Sequence, residues 1–555
     1  MAEDNKRIIR IESILGGHAP TTHFAASNQF RSSLGIDPGL PYEDDFTANG
    51  SGNTNAMGSS GLLRPVSCKT VTGGSTSASM GIPLWIKDQP KTTTSGYFMY
   101  DQQGSAYAIN FSTLAVTDLG DLNDGGTAGG NGMEYYDNYM YFARSTTIAR
   151  YGPLNYGGAT WTDDYWVTTL SKTALTNTFY HYDALSSISY PNHVLHRHSD
   201  GRLYIADVVD GKGTIHYIQT TKTGNEGDTD NGSTYNKLQV GYGLLPVAME
   251  SYGSDLAIAF VEGDDDGLLM RAKVAFWDTT SQNVNKITWV EFPDTLITAL
   301  KNINGVLYVI SGEYLRGGFR ISRFVGGYTF EEVWMSENGI PCFPGAIDGD
   351  GKRLLFGSYT NTPEFAASVY SLGLKKSSLS NGIFSIYRHT EDDESITALK
   401  AIRAQQPTDM FSIIQNDLLV GSGSGANDGT VSASEPGNSA DGYQYAPSVW
   451  WSQIYRIGQP FKITAIKIPL ATPISTNHTI TAKVYLDNNK QFSPYTLTTI
   501  NNTNFSGKQR VVLRNDNAGD AILGQNHFWI ELKWTGAALM TVELPITIEY
   551  ELIDD

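Results

Sequence analysis

Apolar and polar positions alternate along most of this chain, in short runs bounded by Gly, Asn, Asp or Pro. That is the pattern of half-buried strands separated by tight turns. Helical periodicity of 3.6 is nearly absent; residues 396–404 form one short helical candidate. From about residue 81 a loose repeat begins: a turn, an apolar strand, a second turn, and a strand rich in aromatic and β-branched residues. The apolar runs at 96–100, 138–142, 201–205, 254–258, 305–310 and 352–356, with a weaker one at 410–414, read as inner strands. They recur at intervals of roughly 40 to 65 residues, close to the period of four-stranded propeller blades with uneven loops. Several repeats share more than spacing. Gly201-Arg-Leu-Tyr-Ile is followed by Gly213-Thr-Ile-His-Tyr-Ile, and Gly305-Val-Leu-Tyr-Val by Gly318-Phe-Arg-Ile-Ser-Arg-Phe. Each pair reads as a hairpin.

A second strand-rich region follows a Gly/Ser/Asn/Asp-rich stretch at 421–442, which reads as a flexible loop or linker. Its strands are expected at 449–452, 461–468, 479–486, 508–513, 527–534 and 542–552. Ile480, Ala482, Val484 and Leu486 share one face of their strand, and Phe528, Ile530, Leu532 and Trp534 do the same. Phe461, Ile463 and Ala465 share a face that Lys467 interrupts. Strands at this density are a sandwich signature. The fold expected is therefore all-β: a β-propeller of about seven blades over 81–420, then a jelly-roll-like β-sandwich over 443–555. The competing reading is an irregular array of β-sheets.

Residues 1–80 follow neither pattern. One strand is expected around Ile8 to Leu15, ended by Gly16-Gly17. From Asp44 to Ser79 the segment is dominated by Gly, Ser, Thr and Asn and cannot bury enough apolar area to order itself. It reads as an extended arm held by neighbours or as a loose linker.

Composition narrows the function classes. Charged residues are 17% of the 555, and the net charge is −18. No Lys/Arg block of five or more occurs, so direct nucleic-acid binding is not expected, nor attraction to anionic membranes. The apolar run near the N-terminus is broken by Arg10 and Glu12, so no secretory signal is expected, and no run is long enough for a membrane span. Cys68 and Cys342 lie in no metal spacing and read as free thiols.

The motifs that could carry chemistry each have a plainer reading. His196 and His198 share a strand face beside His193, but no carboxylate or cysteine completes a metal set. Glu262-Gly-Asp-Asp-Asp-Gly267 and Asp348-Gly-Asp350-Gly351 resemble calcium loops, yet Asp and Gly also fill turns. Asp163-Asp164 beside Trp161, Tyr165 and Trp166 suggests a sugar platform, but adjacent strand residues point to opposite faces and cannot straddle one bond. The sialidase Asp-box is missing, with Ser199-Asp200-Gly201 its nearest approach. No phosphate loop, nucleophile elbow or zinc-protease motif occurs. No catalytic residue, metal ligand or cofactor is assigned. Trp161, Trp166, Trp450 and Trp451 are candidate glycan or partner contacts, with core packing as the alternative.

The opening resembles the start of tailed-bacteriophage tail proteins of the nozzle or hub type, which carry a β-propeller. It reads Ile11-Glu-Ser-Ile-Leu-Gly16-Gly17-His-Ala-Pro20, then Gln29-Phe30 and Leu34-Gly-Ile-Asp37-Pro38, and ends with Gly61-Leu62-Leu63-Arg64-Pro65. That last segment is one residue shorter than the family's spacing, and Asp44 to Ser60 is longer and richer in Gly and Asn. Gly16, Gly17, Pro20, Arg64 and Pro65 are the candidate assembly motif. The resemblance implies a virion protein made in the host cytoplasm, a non-catalytic subunit of a homo-oligomeric ring with other tail subunits as partners. The alternatives are a host-adhesion protein that binds surface glycans through the C-terminal sandwich, and a glycan-cleaving enzyme with its site in the propeller channel.

Overall fold

The structure is a computed structural model. It describes residues 6–20, 25–38, 62–70, 83–88, 96–101, 103–110, 115–122, 132–144, 147–154, 158–166, 179–180, 187–188, 193–219, 234–263, 269–312, 319–336, 345–351, 353–358, 368–374, 381–387, 398–404, 418–423, 430–436, 444–445, 448–487, 494–514, 522–536 and 540–553. Almost every element is a strand, as the alternation predicts. The chain divides into two compact units, Thr70–Thr362 with Glu394–Ala433, and Met1–Lys69 with Pro363–Asp393 and Ser434–Asp555.

The first unit holds five consecutive four-stranded antiparallel sheets. Their first strands are Pro83–Asp88, Met133–Tyr136, Val194–Arg197, Leu244–Tyr252 and Leu296–Ile303, and each sheet runs in chain order from there. Two antiparallel pairs follow, Ile347–Gly349 with Leu354–Ser358, and Ala398–Ala404 with Leu418–Gly423. The first strands touch in succession, and Ala398–Ala404 returns to touch Pro83–Asp88, so the cycle closes. The arrangement is propeller-like.

The turns inside the sheets are set by residues that accept a positive φ. Asp137 and Asn138, Asp210 and Gly211, and Asn304 and Gly305 all lie there. Such residues favour the two-residue hairpin turns whose twist matches the strands. Between neighbouring sheets lie apolar layers. Phe98 and Tyr100 of the first sheet pack with Met140 and Phe142 of the second, and Val194 and Tyr204 of the third pack with Leu256, Phe260 and Trp277 of the fourth. Several aromatic tips then find backbone partners in the next sheet: Tyr100 Oη donates to the Ala143 carbonyl at 3.0 Å, and Trp161 Nε1 to the Leu119 carbonyl at 2.8 Å. A buried ring thus fills the layer while its polar atom stays satisfied.

Three expectations need correction here. The apolar runs expected as inner strands are the second strands of their sheets; the first strands mix apolar residues with Lys87, Glu134, His196 and Lys301. Second strands have sheet on both edges and apolar layers on both faces, which is why they are the most hydrophobic. The helical candidate at 396–404 is the strand Ala398–Ala404. The run at 410–414 lies outside the described residues. The Gly/Ser-rich segment 421–442, expected as a linker, contributes residues to the strands Leu418–Gly423 and Thr430–Pro436.

Among the described residues, the two largest sheets of the second unit are antiparallel. One runs Lys6–Ile11, Ile546–Leu552, Phe461–Pro469, Arg510–Leu513, with Ile522–Gly524 also on Phe461–Pro469. The other runs Ser32–Leu34, Ser448–Trp451, His527–Trp534, Thr479–Leu486, Tyr495–Thr496. The two alternating strands bury the faces expected of them, Ile480 to Leu486 and Phe528 to Trp534. Phe461 of the first sheet meets Phe528 of the second at 5.4 Å. The break at Lys467 has a cause: the register shifts between Ile463 and Ala465, so Ala465 and Ile466 are both buried and Ile468 continues on the Ile466 face. A bulge of this kind moves one face onto the next residue.

The expected boundaries also change. The described residues up to 38 are not a separate arm, because Lys6–Ile11 and Ser32–Leu34 are strands of these two sheets. Both sheets need these strands to pair Ile546–Leu552 and Ser448–Trp451 on their open sides.

Candidate functional site

First strands of the propeller-like unit surround an open cavity lined among others by Lys87, His196, Glu250, Lys301 and Asp348. Polar side chains join successive first strands. Lys87 Nζ pairs with Glu134 at 3.1 Å, and Lys301 Nζ with the buried Asp348 at 3.0 Å. The Asn302 amide donates to the Ser251 carbonyl at 2.8 Å. His196 Nε2 lies 2.8 Å from Ser251 Oγ, and His198 Nδ1 lies 2.9 Å from the same oxygen.

The protons of that pair follow from the acceptor. His198 Nε2 faces the Ser254 carbonyl at 3.2 Å, so Nε2 carries the hydrogen. Its Nδ1 then accepts from the Ser251 hydroxyl, and His196 Nε2 donates to Ser251 Oγ. Burial lowers the pKa of His196; the carboxylates of Glu250 and Glu134 act against that shift. The site is a hydrogen-bonded relay between sheets.

His193 sits apart from this relay. It is buried with Asp207 and His216, its Nε2 3.5 Å from one Asp207 oxygen while His216 Nε2 lies 3.3 Å from the other. No group of three such ligands among the described residues has the geometry to hold a metal. The histidine cluster therefore splits, and its true partners, Ser251, Asp207 and His216, lie on other strands, where sequence spacing leaves no signal.

The acidic loops resolve into ion pairs. Asp348 faces Lys301, and Asp350 faces Arg353 Nε at 2.7 Å, with the Arg353 N–H donating to the same carboxyl group. Glu262 pairs with Lys273 at 3.1 Å, and residues 264–268 lie outside the described set. Asp200, in the nearest approach to an Asp-box, accepts from Tyr204 Oη at 2.7 Å and from Arg202. Cys342 also lies outside the described residues.

The tryptophans divide. Trp161 is half-buried, its ring 4.9 Å from Tyr151 and 5.3 Å from Phe142. The side chains of Trp166 and Asp164 are outside the described set. Trp450 corrects its expectation: it is 0% exposed, with Phe30 6.3 Å away, and is core. Trp451 points the other way, as alternation requires, and its indole donates to Glu531 at 3.0 Å. Glu531 also accepts from Tyr485 Oη at 2.7 Å and faces Lys483 at 3.2 Å. Burial, and then this carboxylate, push the Tyr485 pKa up. Tyr485 lies flat on Trp529, centroids 5.1 Å apart at 2°, and Arg31 covers Trp529 at 5.3 Å. Trp529, a C-terminal tryptophan that reads from sequence as either an exposed contact or core, is half-buried and alternates with the core positions Phe528 and Ile530.

The candidate assembly motif is engaged within the chain. Gly17, at φ +67°, lies so close to the strand Ile383–Tyr387 that a Cβ there would sit 2.5 Å from both the backbone N and O of Ile383. A Cβ on Gly382 would in turn meet Gly16 C and Gly17 N at 2.7 Å. Two backbones cross here with no room for a side chain. Beside it, His18 is buried with Ser33, whose N–H donates to His18 Nε2 at 3.2 Å, and burial lowers the His18 pKa to about 3. Arg64 and Pro65 lie on Ile36 and Asp37: the Asp37 N–H donates to the Arg64 carbonyl at 3.0 Å, and Ile36 forms a bridge with Pro65. Pro20 is exposed.

No family model and no curated protein matches the chain. Solved structures do align. The WD40 domain of Neurospora crassa Pan2 is 10% identical, covering 67% of this chain and 96% of that one, with a TM-score of 0.38. Chaetomium thermophilum Raptor is 10% identical over 68% and 30%, with a TM-score of 0.41. The N-terminal domain of Nup159 is 8% identical over 66% and 93%, at 0.34. These scores are below 0.5, and the propeller-like description rests on the closed cycle of first strands. Among the described residues no helix is long and apolar enough to cross a membrane.

Proposed function

We propose that this chain is a non-catalytic structural subunit of a tailed-phage tail that acts by assembling into a ring. In this reading the cycle of first strands makes a seven-bladed propeller, and the two sheets of the second unit make a β-sandwich. The supporting observation is the structural role of the very residues that carry the resemblance. Gly16 and Gly17 make the backbone crossing with Gly382 and Ile383, and Arg64 and Pro65 lie on Ile36 and Asp37. A motif with that role serves architecture. The full-length chain is expected to sediment as a closed oligomer, to form rings in electron micrographs and to co-purify with phage particles. A chain that stays monomeric at every concentration and binds no particle would sink the proposal.

The adhesion reading keeps a narrower basis. It loses Trp450 to the core and retains Trp451 on the outer face, where Glu531, Lys483 and Tyr485 supply polar groups. A glycan array probed with the full chain and with Trp451→Ala tests it; unchanged binding in the variant rejects this face.

A further inference from the structure

Two surface features of opposite character lie at sheet edges. The first lies between the fourth and fifth sheets. Phe324 is 4.7 Å from Phe276, 5.2 Å from Tyr252 and 5.1 Å from Phe330, and Phe330 is 4.8 Å from Phe292. Phe276 and Phe292 are buried, while Tyr252, Phe324 and Phe330 are only half-buried. The hairpin tip beside them carries Val325 at 53% and Tyr328 at 64% exposure. Single exposed apolar residues are ordinary on any surface, but a contiguous aromatic patch marks a contact surface. The strand that leaves this tip, Thr329–Ser336, is the outer edge of its sheet. The surrounding charge is mainly negative: Glu262, Glu291, Asp294, Glu331 and Glu332 stand against Lys273, Arg320 and Arg323, which pair with them.

The second feature is the strand Lys6–Ile11. It is also the edge of its sheet, and no other described strand pairs with its outer side. On a chain of net charge −18 it exposes Lys6, Arg7 and Arg10 around Ile8, itself 55% exposed. An edge strand offers backbone donors and acceptors for strand addition, and charge decides which edge it accepts. A basic strand with one apolar side chain complements an aromatic patch within a carboxylate-rich rim.

We propose that the strand Lys6–Ile11 of one copy docks on the Thr329–Ser336 edge and its aromatic patch on a second copy. The two surfaces differ, so the contact is head-to-tail and its repetition closes a ring or extends a filament. The inference rests on the ring reading and assigns its interface.

The test uses the full chain. Sedimentation velocity compares the wild type with the triple variant Lys6→Glu, Arg7→Glu, Arg10→Glu, and with the double variant Val325→Asp, Tyr328→Asp. Each is expected to weaken association at least about tenfold, as burying unpaired like charges would. Separately purified Ile8→Cys and Tyr328→Cys chains are mixed and oxidised. Both sites are exposed, so folding is preserved, and intermolecular disulfide is expected in the mixture well above either chain alone. A wild type that forms rings while both variants assemble normally and the mixture does not crosslink overturns this interface and leaves the ring reading standing. A monomeric wild type overturns both.

Discussion

In the propeller-like unit, the five complete four-stranded sheets pair each strand with its neighbour in sequence. In the second unit, Lys6–Ile11 pairs with Ile546–Leu552 from the other end of the chain, and Ser32–Leu34 with Ser448–Trp451. The first arrangement is local and repetitive, so its order is written as a period. The second is non-local, and its contacts form only after most of the chain is in place. Backbone conformation is correspondingly exposed to different demands. The positive φ at Gly327 in a propeller hairpin faces open space, whereas the positive φ at Gly17 faces another backbone.

The sharpest way to break this comparison is one substitution made twice. Gly17→Ala forces a side chain between the backbone atoms of Ile383 and is expected to cost at least about 3 kcal/mol. Hydrogen exchange should show lost protection in 6–20, 28–36 and 381–387. Gly327→Ala has a similar φ of +59° with nothing within 4 Å of the new Cβ. It belongs at the other end of the scale, at about 1 kcal/mol. Equal effects at the two sites would remove the distinction.

The second-largest effect is a pH dependence. His18 is neutral when folded, with its pKa lowered to about 3, whereas the unfolded chain takes up a proton near its ordinary value of about 6.5. The unfolded state therefore binds more protons in that window. Stability is full above about pH 6.5 and falls as pH drops toward 3, by at most about 1.4 kcal/mol per pH unit. His18→Phe should flatten this slope in denaturant midpoints measured between pH 4 and 7; an unchanged slope would assign the dependence to other groups.

At the propeller axis the contacts are polar and individually weaker. Lys87→Met leaves Glu134 without the lysine and is expected to cost about 1 kcal/mol, while Lys87→Met with Glu134→Leu should recover most of it. A double-mutant cycle in urea reads the difference. Equal losses in the single and double variants would show that the pair contributes packing and not charge. The Gly327→Ala substitution, at about the same size or less, closes the series.

Much of the strand order was legible from sequence, and the reasons are visible in particular residues. Ile480 to Leu486 and Phe528 to Trp534 bury the faces their alternation predicts because pleat geometry is a property of the strand alone. The candidate site was legible only as residue types. His196 and His198 were noticed, but Ser251, which both address, lies on another sheet. The first strands are less legible than their apolar successors because Lys87, Glu134, His196 and Lys301 interrupt their apolar pattern. Trp450 and Trp451 were indistinguishable until the sheet showed which faced Phe30 and which faced Glu531.

What the sequence determined by itself was local: where strands alternate, where turns accept a positive φ, and that two glycines stand at 16 and 17. What only the tertiary structure decided was which groups meet. Gly382 lies against those glycines, Asp207 lies between His193 and His216, and the two ends of the chain share one sheet. Alternation follows from the geometry of one strand, whereas partnership is selected among all strands by the burial and hydrogen bonding of the whole chain.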